Sequence, residues 1–191
     1  MDELGFESFT FRKLAVRIES TEASIYRYFE SKHKLLLYLT NWYWSWMEYR
    51  LMFGMANILN PRERLSRAIT LLTEQVDEDS NFSHINEVKL NRIVIAESSK
   101  AYQYKGVDDE NKIGVFSGYK QLVATVSDVI LELNGNYKYP HMLVSTVIEG
   151  AHIQRYFAEH LPKLTDEVTG EDAITEFYLD VTFKAIDIKR G

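Results

Sequence analysis

The spacing of apolar residues predicts a chain built almost entirely of helices. Apolar positions recur at intervals of three and four, which places them on one face of an α-helix. Asn60-Pro61-Arg62-Glu63 is a strong helix start, with an N-cap residue, proline at the first helical position and glutamate at the third. Two short helical segments are expected after Thr10 and Thr21. Longer ones are expected over 32–56, from Pro61 to about Val76, about 84–99, from near Asp109 to Leu133, and over about 140–161 and 171–188.

The segment 32–56 differs from the others because its apolar residues, three tryptophans among them, point in every direction around the helix. This helix is hydrophobic all round, but its polar residues interrupt the apolar run before it reaches membrane-spanning length. We therefore expect it to run through the protein interior. We place the domain boundary within or just after it, near 40–50. The interpretation is a small N-terminal domain at 1–45 and a larger helical domain at 46–191.

Composition supports the all-α prediction. Glycine and proline together account for 12 of 191 residues, about half of average usage, so the frequent turns of a sandwich or barrel are missing. The absence of cysteine excludes disulfide scaffolds, thiolate zinc sites and cysteine nucleophiles. No apolar run has membrane-spanning length and the first residues are acidic, so we expect a cytoplasmic protein without membrane partners.

The net charge of −6 argues at first against a nucleic-acid partner. Its distribution changes this interpretation. Residues 51–191 hold fifteen basic and twenty-one acidic side chains, whereas residues 8–40 hold six basic and three acidic ones. The acidity therefore belongs to the larger C-terminal part, and the N-terminal part is mildly basic.

The basic N-terminal part has the pattern of a helix-turn-helix. Thr10 can cap a first helix that buries Leu14, Ala15 and Ile18, and Thr21 can cap a second that buries Ile25 and Phe29. In such a motif the second helix lies in the major groove of DNA. Its first turn would face the base edges, and basic or hydroxyl side chains at its flanks would contact phosphates. The expected base-facing residues are Thr21, Glu22, Ala23 and Ser24, and Tyr26, Arg27 and Lys32 would lie at the flanks.

At this point the sequence resembles the TetR-like family of bacterial transcriptional regulators. The matching residues lie within about 5–40 and are Gly5-Phe6, Thr10, Leu14-Ala15, Thr21, Ile25-Tyr26, Tyr28-Phe29, Ser31-Lys32 and Leu35-Leu36. The resemblance implies phosphate contacts from Thr10, Tyr26 and Lys32, to which Arg12 and Arg27 are added as neighbouring basic side chains. It also implies a double-stranded DNA operator, a small effector bound in the C-terminal domain, and a homodimer formed by the last two helices.

Three features depart from the family pattern. The opening helix has only Leu4-Gly5-Phe6 as a counterpart, so the natural start lies upstream, the chain was shortened, or the domain is incomplete. Glu19 stands where the family has a turn glycine and Ser20 where it has an apolar residue, so Glu19 must accept a positive φ or the turn must change shape. Glu22 adds a negative charge at the DNA-facing edge.

Aromatic residues of the long helix suggest a pocket for an apolar or aromatic effector. The expected lining comprises Trp42, Trp46, Tyr49, Phe53, Phe116 and Tyr119. The simpler alternative is that these side chains only fill a core. Trp44 points nearly opposite to Trp42 and Trp46, so one pocket cannot use all three tryptophans.

Catalytic signatures are weak, and we expect neither an enzyme nor a cofactor. Glu149-Gly-Ala-His152 and Glu30-Ser-Lys-His33 each match the E-x-x-H half-motif of di-iron bundles. We interpret Glu149 and His152 instead as surface or dimer-interface residues, and expect no metal site. Two alternatives to a repressor stay open: a dimeric small-molecule-sensing or protein-interaction module with weakened or lost DNA binding, and a helical-bundle metalloenzyme.

Overall fold

The computed structural model describes residues 1–76 and 86–186. Within these residues the chain forms ten α-helices, one 3-10 helix and no strand, which confirms the predicted all-α fold. The α-helices are α1 (Gly5–Ser8), α2 (Phe11–Arg17), α3 (Glu22–Tyr26), α4 (Lys32–Met55), α5 (Pro61–Thr73), α6 (Glu87–Tyr102), α7 (Val107–Lys112), α8 (Ser117–Leu133), α9 (Pro140–His160) and α10 (Ala173–Ala185), and the 3-10 helix is Pro162–Leu164.

Helix starts that the sequence predicts from local signals are confirmed. The Asn60 side chain accepts a hydrogen bond from the Arg62 backbone N–H at 2.9 Å, and Asp172 accepts one from the Thr175 N–H at 3.2 Å. Pro140 opens α9. Residues 84–85 and 187–188, at the outer ends of two predicted helices, lie outside the described residues.

The single helix predicted from Asp109 to Leu133 is wrong, because Gly114 interrupts it. Gly114 has a φ of +84°, its N–H bonds the Asn111 carbonyl at 3.1 Å, and the Val115 N–H bonds the Glu110 carbonyl at 3.1 Å. This pair of bonds is a Schellman motif, which ends a helix through a residue in the left-handed region. The segment therefore divides into α7 and α8.

The chain divides into two compact units. The first unit comprises residues 1–43 and 76–117, and the second comprises 44–75 and 118–191. A single cut of the chain near 40–50 does not reproduce this division, because 76–117 groups with the N-terminal residues. The functional domains at 1–45 and 46–191 stay a prediction.

The core of the first unit is formed by α2, α3, the start of α4 and α6. One cluster consists of Phe9, Phe11, Ala15, Ile25 and Leu35, with Leu14 and Phe29 partly buried against it. Ile18 is exposed, so the expectation that it lies in the core is wrong. A second cluster joins Leu36 and Leu37 of α4 to Ala101 of α6.

The core of the second unit is formed where α5, α9 and α10 pack together. Leu65 and Ile69 of α5, Ile148 of α9 and Leu179 of α10 are among its buried residues. Gly150 is needed here, because a Cβ at this position would overlap the Tyr178 hydroxyl of α10. None of the described helices has the length and apolarity to cross a bilayer.

Helix α4 is buried along one side and exposed along the other. Leu36, Tyr43, Trp44, Met47 and Leu51 have almost no exposed surface. Tyr38, Tyr49, Met52 and Phe53, in contrast, are exposed. The prediction that this helix is interior on all sides is therefore correct for the first group and wrong for the second.

The expectation that His152 lies on a surface or dimer interface is wrong. His152 is buried in the second unit, where its ring lies 5.8 Å from that of Trp44. Burial lowers the pKa of its imidazole from 6.5 to about 4, because water no longer stabilises the charged form. His152 is therefore neutral at pH 7.

We expect His152 to make the protein less stable in mild acid. Below pH 6.5 the unfolded chain binds a proton that the folded chain does not, so the free energy of unfolding falls as pH decreases from 6.5 to about 4. The full difference is about 3 kcal/mol. His152→Gln should remove this part of the pH dependence in urea denaturation, whereas His160→Gln, at an exposed position of the same helix, should keep it. Parallel curves for wild type and His152→Gln would contradict this assignment.

Candidate nucleic-acid interface

Two threonine caps fix the starts of α2 and α3. The Thr10 hydroxyl accepts a hydrogen bond from the Lys13 backbone N–H at 3.3 Å, and the Thr21 hydroxyl accepts one from the Ser24 N–H at 3.2 Å. Both threonines have extended backbone conformation, as N-cap residues require. The predicted capping roles are confirmed.

The turn between α2 and α3 has the backbone geometry that usually requires glycine, but Glu19 occupies the position. The Ser20 N–H bonds the Ala15 carbonyl at 2.9 Å and the Glu19 N–H bonds the Val16 carbonyl at 3.4 Å, the two bonds of a Schellman motif. Glu19 has a φ of +51°. Of the two alternatives that the sequence left open, the structure therefore has the positive φ.

Packing holds the two helices together beneath this turn. Ala15 of α2 and Ile25 of α3 are buried in the same cluster. The Tyr26 ring packs edge-on against the buried Phe11 ring, with centroids 4.9 Å apart, while about half of the Tyr26 surface stays exposed. The aromatic contact thus fixes a side chain that still reaches solvent.

The predicted base-facing residues lie together at the start of α3. Thr21, Glu22 and Ala23 are exposed, and Ser24 is partly buried. All four are within one turn of the Thr21 cap. The first turn of α3 therefore presents three short or acidic side chains to solvent.

Four of the five predicted phosphate contacts are exposed: Thr10, Arg12, Tyr26 and Arg27. Lys32 differs from them. Its ammonium donates to the carbonyls of Phe6 at 2.9 Å and Glu7 at 3.2 Å, and lies 4.5 Å from the centroid of the Phe6 ring. Lys32 thus binds the carbonyl end of α1, a role within the protein that the sequence did not predict.

Glu97 of α6 is a second anchor of α1 that sequence reasoning missed. Its buried carboxylate accepts a hydrogen bond from the Phe6 N–H at 2.7 Å and one from the Lys100 ammonium at 2.6 Å. The hydrogen bond to Glu97 raises the pKa of Lys100, which therefore stays charged. No local pattern could have indicated this contact, because Phe6 and Glu97 are 91 residues apart.

Tyr28 was also absent from the predicted contacts, although it follows α3 directly. Its side chain is 80% exposed. An exposed tyrosine just beyond the C-terminal end of α3 has a hydroxyl that can contact a phosphate. Its place in the family pattern, Tyr28-Phe29, was the signal that could have identified it.

The effector pocket expected from six aromatic residues stays a prediction. Trp42 and Phe116 belong to the first unit, and Trp46, Tyr49, Phe53 and Tyr119 to the second. Tyr49 and Phe53 are exposed and lie against each other, with ring centroids 4.6 Å apart. Tyr119 instead stacks on Trp44, the tryptophan that the prediction left out, at 4.0 Å between centroids.

The two E-x-x-H sequences were not expected to form a metal site. Within residues 1–76 and 86–186, no group of three or more histidine, aspartate or glutamate side chains could hold a metal ion. His33 of the first half-motif packs instead against Tyr104, with ring centroids 4.1 Å apart.

A known family model matches the N-terminal helices of the chain. Residues 1–39 match the model described as "Bacterial regulatory proteins, tetR family". The matched residues include α1, α2 and α3 and the start of α4. No curated protein and no solved structure matches the chain significantly.

We expect Glu19→Gly to stabilise the protein by about 1 kcal/mol, because glycine occupies the left-handed region without the steric cost that Cβ imposes. Glu19→Ala, which removes the charge but keeps Cβ, should change stability much less. Thermal unfolding of the three proteins measures the difference. An equal gain from both variants would mean that the carboxylate, and not the backbone conformation, is the destabilising feature.

Proposed function

We propose that the protein is a repressor that binds operator DNA as a homodimer and is released by a small effector. The match of residues 1–39 to the model of the tetR family of bacterial regulatory proteins supports this proposal. Residues 1–45 would bind the DNA, and residues 46–191 would bind the effector and form the dimer. The protein would act in the cytoplasm, where its operator is.

The observation that carries the DNA-binding proposal is the exposed first turn of α3. Two threonine caps and a Schellman turn hold this helix in place, while Thr21, Glu22 and Ala23 reach solvent. A side chain on such a rigid start can be directed at base edges in the major groove. Exposed Arg12 and Arg27 are suited to phosphates on either side.

Exposed apolar side chains on α9 and α10 support the proposed dimer. Met142 and Ile153 are eleven residues apart, three turns along the same side of α9, and both are exposed. Phe177 of α10 is 56% exposed. Large apolar side chains of this kind on adjacent helices are typical of a helix-to-helix interface between protomers.

The proposed regulation follows from the geometry of a two-fold operator. Two recognition helices must match half-sites about 34 Å apart, one turn of DNA. An effector that binds more tightly to a conformation with another spacing shifts the population away from the DNA-binding one. Operator affinity then falls by a factor that is at most the ratio of the effector's affinities for the two conformations.

A dimeric sensing module without DNA binding is the second candidate, and Glu22 favours it. The Glu22 carboxylate is exposed at the edge that would face DNA, where it repels phosphate. The Lys32 ammonium, a predicted phosphate contact, is bound to two carbonyls of the same chain. The following experiment separates the two candidates.

We expect Arg27→Ala to weaken binding to the DNA upstream of its own gene, and to lower the slope of log affinity against log salt by about one unit. Arg92→Ala, which removes the same charge from an exposed position of α6, should leave both unchanged. Gel-shift titrations over a salt series measure both quantities. If neither wild type nor variants bind this DNA more tightly than unrelated DNA, the sensing module is the better description.

We expect Phe177→Glu to weaken the dimer by about a hundredfold, because a charge would be buried without a partner at the interface. Leu59→Glu is the control, since Leu59 is also exposed but lies in the α4–α5 connection. Sedimentation velocity across protein concentrations measures the dissociation constant. Equal constants for Phe177→Glu and wild type would exclude α10 from the interface.

A further inference from the structure

A groove of about 600 Å³ opens within the first unit, between the N-terminal residues, α2 and the first two turns of α6. Its apolar walls are aliphatic except for one ring, and comprise Met1, Leu4, Phe9, Leu14, Val16 and Ile93. Val16 is 78% exposed and Leu4 is 44% exposed, so this space is open to solvent. Its volume lies within the range that is usual for small-molecule sites.

Basic side chains line the same groove. Lys13 and Arg17 belong to α2, and Lys89 belongs to α6. Lys13 and Arg17 are four residues apart and therefore lie on the same side of their helix. The acidic side chains of the lining are Asp2 and Glu3, so the lining side chains together carry one net positive charge. A groove with apolar walls and one surplus positive charge is complementary to an apolar molecule with one negative charge.

The three basic groups differ in how far the protein itself satisfies them. Arg17 pairs with Glu3 at 3.4 Å. The Lys13 ammonium donates to the Ser8 carbonyl at 2.7 Å, which leaves two of its three N–H groups for another acceptor. The exposed Lys89 side chain forms no ion pair within residues 1–76 and 86–186. Lys13 and Lys89, on the two helices that flank the groove, can therefore donate to an anion.

We propose that this groove binds the anion of an aliphatic carboxylic acid. The alkyl chain would leave water against Leu14, Val16 and Ile93, and the ammonium groups of Lys13 and Lys89 would bind the carboxylate. None of the six residues expected to line the effector pocket belongs to this groove. The inference therefore does not rest on the proposed function.

Octanoate and octanamide test the site because they have the same number of heavy atoms and differ by one charge. In a heteronuclear NMR titration of the full chain at pH 7, octanoate should shift the amide signals of α2 and of the start of α6. It should bind at least about tenfold more tightly than octanamide. Lys89→Met should lower octanoate affinity at least about threefold and leave octanamide affinity unchanged, because it removes the charge and keeps an apolar side chain of similar length. Arg92→Met, at an exposed position of α6 outside the groove, should change neither.

A second variant tests the apolar wall. Val16→Asp places a carboxylate in this wall and should lower octanoate affinity at least about tenfold, because the new charge repels the ligand and the wall loses apolar surface. Ile18→Asp adds the same charge at an exposed position outside the groove and should have a much smaller effect. Both positions are exposed, so neither variant alters the core.

Equal affinity of the wild-type protein for the two probes would overturn the anion site. Octanoate that shifts only the signals of other helices, or that binds Val16→Asp as tightly as wild type, would overturn the location. If wild type binds no octanoate and Val16→Asp weakens self-association in sedimentation velocity, a second copy of the chain covers the groove and the proposed ligand is wrong. These measurements contain no DNA, so a failure of operator binding would overturn the proposed function and leave this site standing.

Discussion

The buried side of α4 is the part of the molecule on which both compact units depend. Leu36 and Leu37 lie in the core of the first unit, and Trp44, Met47 and Leu51 are buried in the second. Each such side chain contributes about 2 kcal/mol by leaving water. The exposed side of α4, which includes Tyr49 and Phe53, contributes much less to stability.

In the first unit, short helices are positioned by contacts beyond their own turns. Helix α1 has four residues, too few to be stable alone. Glu97 binds its amide end through the Phe6 N–H, and Lys32 binds its carbonyl end. Helices α2 and α3 are held by Thr10, Thr21 and the turn at Glu19. The position of α1 therefore depends on charged side chains of α4 and α6, whereas α2 and α3 are held by their caps and the turn between them.

In the second unit, the titratable side chains near the aromatic core differ in how their charges are compensated. Arg155 binds the Thr73 carbonyl and the Asp172 carboxylate, so its charge is neutralised within the protein. His152 avoids a buried charge by remaining neutral. Glu149 accepts a hydrogen bond from the Tyr119 hydroxyl at 2.8 Å.

The sequence by itself determined the features that depend on neighbouring residues: the all-α class, the caps at Thr10, Thr21 and Asn60, and the similarity of residues 1–39 to a family of bacterial regulatory proteins. These involve hydrogen bonds and periodicities within a few positions, so they can be read locally. Gly114 was missed because an isolated glycine is tolerated within helices, and only its positive φ shows that the helix ends there. The anchoring of α1 by Glu97 and the stacking of Trp44 on Tyr119 were decided by the tertiary structure, because they join residues far apart in the chain whose encounter depends on how whole helices pack.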